Sequence, residues 1–377
     1  MSWEKISVVV GLDFGTTYSG FSYCHTESKN DIVDTKNIRT NDRWPGEVGN
    51  LKTNTVLQYD SNFVNVERWG NPALAKQPKK NRPKLPVELR SEESESHEKA
   101  ITDYLREIGK LIKETVETRK GVDFKENVLL VLTVPAEYSE NDKATMRECA
   151  RKAGLIDLIG NKKSQKLQFT TEPEAAAIYC MKNKLQQYNL LTIGTMFMIV
   201  DCVSNQPVAA VVRGATMYGL SLKYSSVAKK LGNRKEYVIS TRKLNFTYGI
   251  KILSRWKDHH PPNRKVFNDR IYLFETFVKR GKEVEVDEEF ISKGYTPLGS
   301  TQTALKFELF KTPEKDANYH DEPGMELVGT LRVPLDANRK VTFGFSFGQM
   351  EITAFAKNEL GQNVQVRFEL SKDSVYL

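Results

Sequence analysis

The run Asp13-Phe14-Gly15-Thr16-Thr17-Tyr18-Ser19, directly after the apolar stretch Val8 to Leu12, gathers residue types that can do chemistry. An apolar strand there delivers a carboxylate, a glycine permits a tight turn, and two hydroxyls follow beside backbone N–H groups. Such a turn can surround phosphate oxygens with N–H and O–H donors, while the carboxylate orients water on Mg2+. On chemistry alone an ordinary hairpin with a Gly-Thr turn reads the same way. Elsewhere Cys24, Cys149, Cys180 and Cys202 stand far apart, and the five histidines, His259 and His260 among them, add no zinc spacing. No transition-metal site is expected, and the cysteines read as free thiols in a reducing compartment.

The elements that must position this turn follow from periodicity. Ile6 to Leu12 reads as a strand, with Gly20 to His25 returning beside it as a hairpin. Ile101, Tyr104, Leu105, Ile108, Leu111, Ile112 and Val116 are spaced by 3 or 4, an amphipathic helix ending at Gly121. Val128 to Val134 is a continuous apolar strand stopped by Pro135. Ser139 with Asp142 then starts a helix that closes at Gly154, and Thr171 with Glu174 repeats the device, Pro173 lying in the first turn. After about Lys235 period-2 runs take over: Leu244/Phe246/Tyr248/Ile250, Leu305/Phe307/Leu309, Phe343/Phe345/Phe347 and Val364/Val366/Phe368. The first region is therefore expected to be α/β and the second an antiparallel β-sandwich, whose aromatic stripe is core.

With these elements in order, Asp13 to Ser19 resembles the first phosphate motif of the heat-shock protein 70 family, whose nucleotide domain has the actin-like ATPase fold. Leu129 to Pro135 with Ala136 to Leu155 resembles the family's strand, Val-Pro-Ala turn and following helix. Thr171-Glu172-Pro173-Glu174-Ala175-Ala176-Ala177 resembles its connecting helix, and Met198 to Asp201 the strand that carries its second phosphate motif. The wording is closest to divergent fungal members. The resemblance implies that Asp13, Gly15, Thr16, Thr17 and Tyr18 bind the phosphates of ATP, and that Asp13 faces Mg2+ through water. It implies that Glu172 and Asp201 assist hydrolysis. Glu172 reads equally as a helix-start carboxylate and Asp201 as a strand end. The family's phosphate-contacting lysine has no clear match, although Lys76 lies in roughly the right region.

The sequence also departs from the family. After Asp201 it reads Cys202-Val203-Ser204-Asn205-Gln206-Pro207 where the family has a Gly-Gly-Gly-Thr hairpin, and the stretch from Val208 resembles a helix near the end of the nucleotide domain. The expected architecture is an actin-like domain with a truncated second lobe over 1–222 and a basic connector over 223–235. A β-sandwich over 236–377 follows, without a helical lid, resembling the family's substrate-binding domain. The function implied is an ATP-binding chaperone relative with weak or absent hydrolysis, holding unfolded or extended peptide segments, with co-chaperones among its partners. The alternative is a nucleotide-independent peptide- or anion-binding module left by internal deletion, or a product of exon skipping.

Composition sets the outer bounds. The 377 residues suit two or three domains, and 39% hydrophobic with 28% charged residues is globular, not disordered. Apolar runs fall far short of a bilayer span, and Met1 to Val10 lacks a secretory h-region, so a cytoplasmic chain without membrane insertion is expected. The net charge of +8 is concentrated: residues 223–282 hold sixteen Lys and Arg against four acidic residues, Glu236, Asp258, Asp269 and Glu275. Such a block can track a nucleic acid or an anionic surface. Without a recognised nucleic-acid motif it reads first as a solvated face and connector.

Overall fold

The computed structural model describes residues 3–26, 37–74, 94–118, 121–157, 164–181, 209–230, 241–285, 288–297, 299, 301–335, 340–347, 350–364 and 367–370. The chain divides into two compact units, one of residues 1–138 with 142–238 and one of 139–141 with 239–377. No helix among the described residues is long and apolar enough to cross a membrane.

The first unit is built on one mixed sheet. Strands β1 (Val8–Phe14), β2 (Tyr18–His25) and β3 (Arg39–Thr40) form an antiparallel meander, and β4 (Thr53–Asn54) pairs with the start of β2. On the other side of β1 lie β5 (Val128–Val134) and β6 (Leu167–Thr171), both parallel to it, giving the order β6-β5-β1-β2-β3. A parallel connection needs a crossover, and the helices supply it. Helix α1 (Ser94–Val116) and the short α2 (Phe124–Asn127) precede β5, α3 (Glu140–Lys152) joins β5 to β6, and α4 (Glu172–Cys180) follows β6. Every residue of β5 is buried, as a strand covered on both faces must be. On α1 the residues Leu105, Ile108, Ile112 and Val116 are fully buried, the face that their spacing predicts.

Helix α5 (Ala210–Lys230) packs across this sheet, and it runs on through residues 223–230 of the expected connector. Its seat is partly polar: the Ser22 hydroxyl donates to the Val212 carbonyl at 2.9 Å and lies 2.7 Å from the Thr216 hydroxyl. The helix also meets α4 closely, since a Cβ on Gly214 would fall 1.7 Å from the Ala175 carbonyl oxygen. The strand expected at Met196 to Asp201 lies outside the described residues.

The second unit holds two larger antiparallel sheets, beside a two-stranded antiparallel pairing of Thr241–Lys243 with Glu283–Glu285. One has the order β8-β9-β7-β11-β12-β16, from β7 (Thr247–Arg255), β8 (Lys265–Val266), β9 (Arg270–Val278), β11 (Ala304–Thr312), β12 (Glu326–Pro334) and β16 (Arg367–Leu370). The other has the order β10-β13-β14-β15, from β10 (Glu289–Ile291), β13 (Val341–Ser346), β14 (Thr353–Asn358) and β15 (Asn363–Val364). Both contribute to a single apolar core in which Phe307 of the first sheet stacks on Phe343 of the second, ring centroids 4.4 Å apart. Phe343, Phe345 and Phe347 are all buried in it. The run expected from Leu244 begins later. Leu244 exchanges backbone hydrogen bonds with Gly281 and Lys282, the chain bends at Asn245 and Phe246, and only from Thr247 does β7 pair with β9 and β11.

Candidate phosphate-binding site

Asp13 is the penultimate residue of β1 and is 3% exposed. Parallel pairing sets Asp13 level with Thr133 of β5, and Thr133 level with Thr170 of β6. The three polar residues therefore line the carboxyl ends of the three parallel strands, the end at which open α/β sheets bind ligands. A buried carboxylate must be paired, and both oxygens of Asp13 are. Oδ1 accepts from the Thr133 hydroxyl at 2.7 Å, and Oδ2 accepts from the Lys52 ammonium at 2.5 Å.

The turn after Asp13 is tightly held. The Gly15 N–H donates to the Tyr18 carbonyl at 3.2 Å, and a Cβ at Gly15 would sit 2.7 Å from that same oxygen. Thr55, just past β4, pins the turn from beneath: its N–H donates to the Thr17 carbonyl at 2.9 Å and its hydroxyl to the Gly15 carbonyl at 2.7 Å. The side chains of Thr16, Thr17 and Tyr18 are exposed at the rim. A small anion is offered hydroxyls, a constrained backbone and a nearby ammonium.

Glu172 begins α4, and Thr171 caps that helix by accepting from the Glu174 N–H at 3.2 Å. Asp13 and Glu172 thus reach the same end of the sheet, separated by two strand spacings, roughly 10 Å across the strands. Near Glu172 the Tyr138 hydroxyl is pushed above its ordinary value by burial and then by the negative charges of Asp142, Glu172 and Glu137. Asp201 and Lys76 lie outside the described residues. Lys52, Thr55 and Thr133 were not singled out by the sequence reading. Lys52 comes 39 positions after Asp13 and reaches it only through the pairing of β4 with β2.

The donor set suits phosphate better than hydrated Mg2+. Both Asp13 oxygens are committed, one to a cation already. Among the described residues no group of three or more Asp, Glu, His or Cys is arranged to hold a metal. Mg2+ seated through water on Asp13 does not fit this arrangement.

A strand meander followed by two parallel crossover strands, with a carboxylate and a glycine-threonine turn at the carboxyl ends, defines a mixed α/β unit. No protein-family model matches the chain. Over 159 residues, 39% of this chain, it is 24% identical to heat shock 70 kDa protein 12A of Homo sapiens and 31% identical to the protein of that name from Mus musculus. Over 76 residues, 20% of the chain, it is 38% identical to heat shock 70 kDa protein 12B of Homo sapiens. The alignments span 21% of the length of each 12A protein and 11% of the 12B protein. These similarities support a distant heat-shock-protein-70-like relationship.

Proposed function

We propose that this chain is a heat-shock-protein-70-like nucleotide-binding protein whose first unit is a lobe of an actin-like ATPase fold. Divergent fungal members of that family are its proposed near kin. The carrying observation is the buried Asp13 at the carboxyl end of β1, followed by the Gly15–Thr17 turn held by Thr55. ATP is the proposed ligand. Its phosphates lie against the Thr16 and Thr17 hydroxyls and the turn's backbone, with Tyr18 at the rim. Glu172, opening α4 at the same end of the sheet, is the carboxylate proposed to orient water, and Asp201 is proposed as its partner.

Hydrolysis is expected to be weak or absent. Phosphoryl transfer depends on positioning and charge stabilisation from both sides of the phosphates, and the sequence after Asp201 has no Gly-Gly-Gly-Thr loop. The second unit is proposed to be a β-sandwich that grips extended peptide segments by backbone pairing and apolar contact. We propose a cytoplasmic setting and co-chaperone partners.

Calorimetric titration of ATP into the whole chain tests the reading. The wild type should bind, and Thr16→Val with Thr17→Val together should weaken binding by roughly tenfold, the loss of one or two hydrogen bonds to a charged group. ATP turnover should equal that of buffer. Equal affinity in the double variant would remove the turn from the site, and robust turnover abolished by Glu172→Ala would overturn the proposal of weak hydrolysis.

A further inference from the structure

Resting on the nucleotide reading above, we infer that the Lys52 ammonium occupies the cation position of the site, so that the chain binds nucleotide phosphates without a divalent metal.

The geometry behind this is built into the strands. In the antiparallel pairing of β1 with β2, Asp13 lies opposite Gly20. Lys52 directly precedes β4, which pairs with the beginning of β2, so its side chain must cross Gly20 to reach Asp13. Gly20 makes room for it: a Cβ there would fall 2.9 Å from Lys52 Cγ and 2.9 Å from the Leu51 carbonyl oxygen. The Lys52 stem thus lies in the space that any other residue at position 20 would fill, and its ammonium ends on Asp13 Oδ2. Thr133 fixes the other carboxylate oxygen, so the carboxylate cannot swing away to find water or metal without losing a buried hydrogen bond.

An ammonium has three N–H donors, and one is spent on Asp13. The Lys52 side chain is 21% exposed, in contrast to 5% for Asp13, and its remaining donors are the ones this inference assigns to an anion on the neighbouring turn. Such a cation differs from Mg2+ in a way that matters for chemistry. With Asp13 it sums to no net charge, whereas a divalent ion on the same carboxylate would leave one positive charge. The phosphates are held, but less of the charge that develops on them during transfer is neutralised. Metal-free binding and poor turnover then have one cause.

The test is calorimetric titration of ADP and ATP into the full chain, once in excess EDTA and once in millimolar Mg2+. Affinities within about a factor of two between the two buffers are expected, since the site does not recruit the metal. The buffer comparison needs no variant. Lys52→Met should weaken binding in EDTA by roughly tenfold or more, while Lys52→Arg, which keeps a cation, should retain most of it. Gly20→Ala, which disturbs the path of the lysine and leaves its charge, should behave like Lys52→Met. Binding that requires Mg2+ and is indifferent to Lys52→Met would overturn the inference while leaving the nucleotide reading intact. No binding in either buffer would overturn both.

Discussion

Tyr104 connects the buried side of the candidate site to the stability of the first unit. It is 2% exposed, packs against Phe14 and Trp69, and donates its hydroxyl to the Asn54 carbonyl at 3.1 Å, one residue before the threonine that pins the turn after Asp13. Burial pushes this hydroxyl up to about 12 from an ordinary value of 10.0. The folded protein therefore holds the proton more tightly than the unfolded chain. The stabilisation from that difference is complete below about pH 10 and is lost as pH rises through about 12. Urea midpoints should fall over that alkaline window, and Tyr104→Phe should make the fall shallower; an unchanged profile in the variant would remove Tyr104 as a source. At this scale the strand end at Asp13 and the turn through Gly15 to Thr17 could be read from sequence because they are contiguous, an apolar strand followed directly by a glycine. Lys52 and Thr133 could not, because their meeting with Asp13 depends on which residues two pairs of strands set side by side.

The elements divide by the strength of their own pattern. The strand Val128–Val134 and the cap at Thr171 were legible to the residue, one from an unbroken apolar run ended by proline and the other from a threonine three residues before a glutamate. Helix α5 was less so. Its first half, Ala210 to Leu222, is apolar or small nearly all round, which matches a helix buried between a sheet and another helix but carries no single-face period to mark its limits. Its close contact with α4 makes a sharp prediction. Because a Cβ at Gly214 would meet backbone, which cannot rotate aside as a side chain can, Gly214→Ala must separate the two helices. A loss of about 1–3 kcal/mol, or more, is expected from such overpacking, measured as a lower urea midpoint. A midpoint within error of wild type would show that the helices do not meet there.

Across the whole molecule the basic block illustrates what counting charges leaves out. Many of its cations are answered within the second unit: Lys251 by Glu308, Arg264 by Asp321, Lys265 by Asp269, Lys279 by Asp316 and Lys282 by Glu288. Four of these five acids lie beyond position 282, so a window along the sequence reports a surplus that the fold partly cancels. Binding to heparin should accordingly be weak and disappear by about 0.15 M salt, where charges more than about 8 Å apart are screened. Retention persisting well beyond that salt would reveal an unpaired basic face and favour an anionic partner. The change from helical to period-2 patterning near Lys235 was legible because each half repeats its own period many times. The extent of the first sheet was not, because strand order is set by contacts between residues far apart in sequence.

The open space at Gly20 ties the histories of two positions together. A lysine at 52 reaches Asp13 only while position 20 has no side chain, so an alanine at 20 meets a different background depending on whether the lysine is present. Where Lys52 is kept, the added methyl strikes its stem; where Lys52 has been lost, part of that conflict is gone. A lineage acquiring a side chain at 20 has its easiest path through prior loss of the lysine, and one regaining the lysine must first restore the glycine. The order of substitutions is thereby constrained by a gap the size of one methyl group.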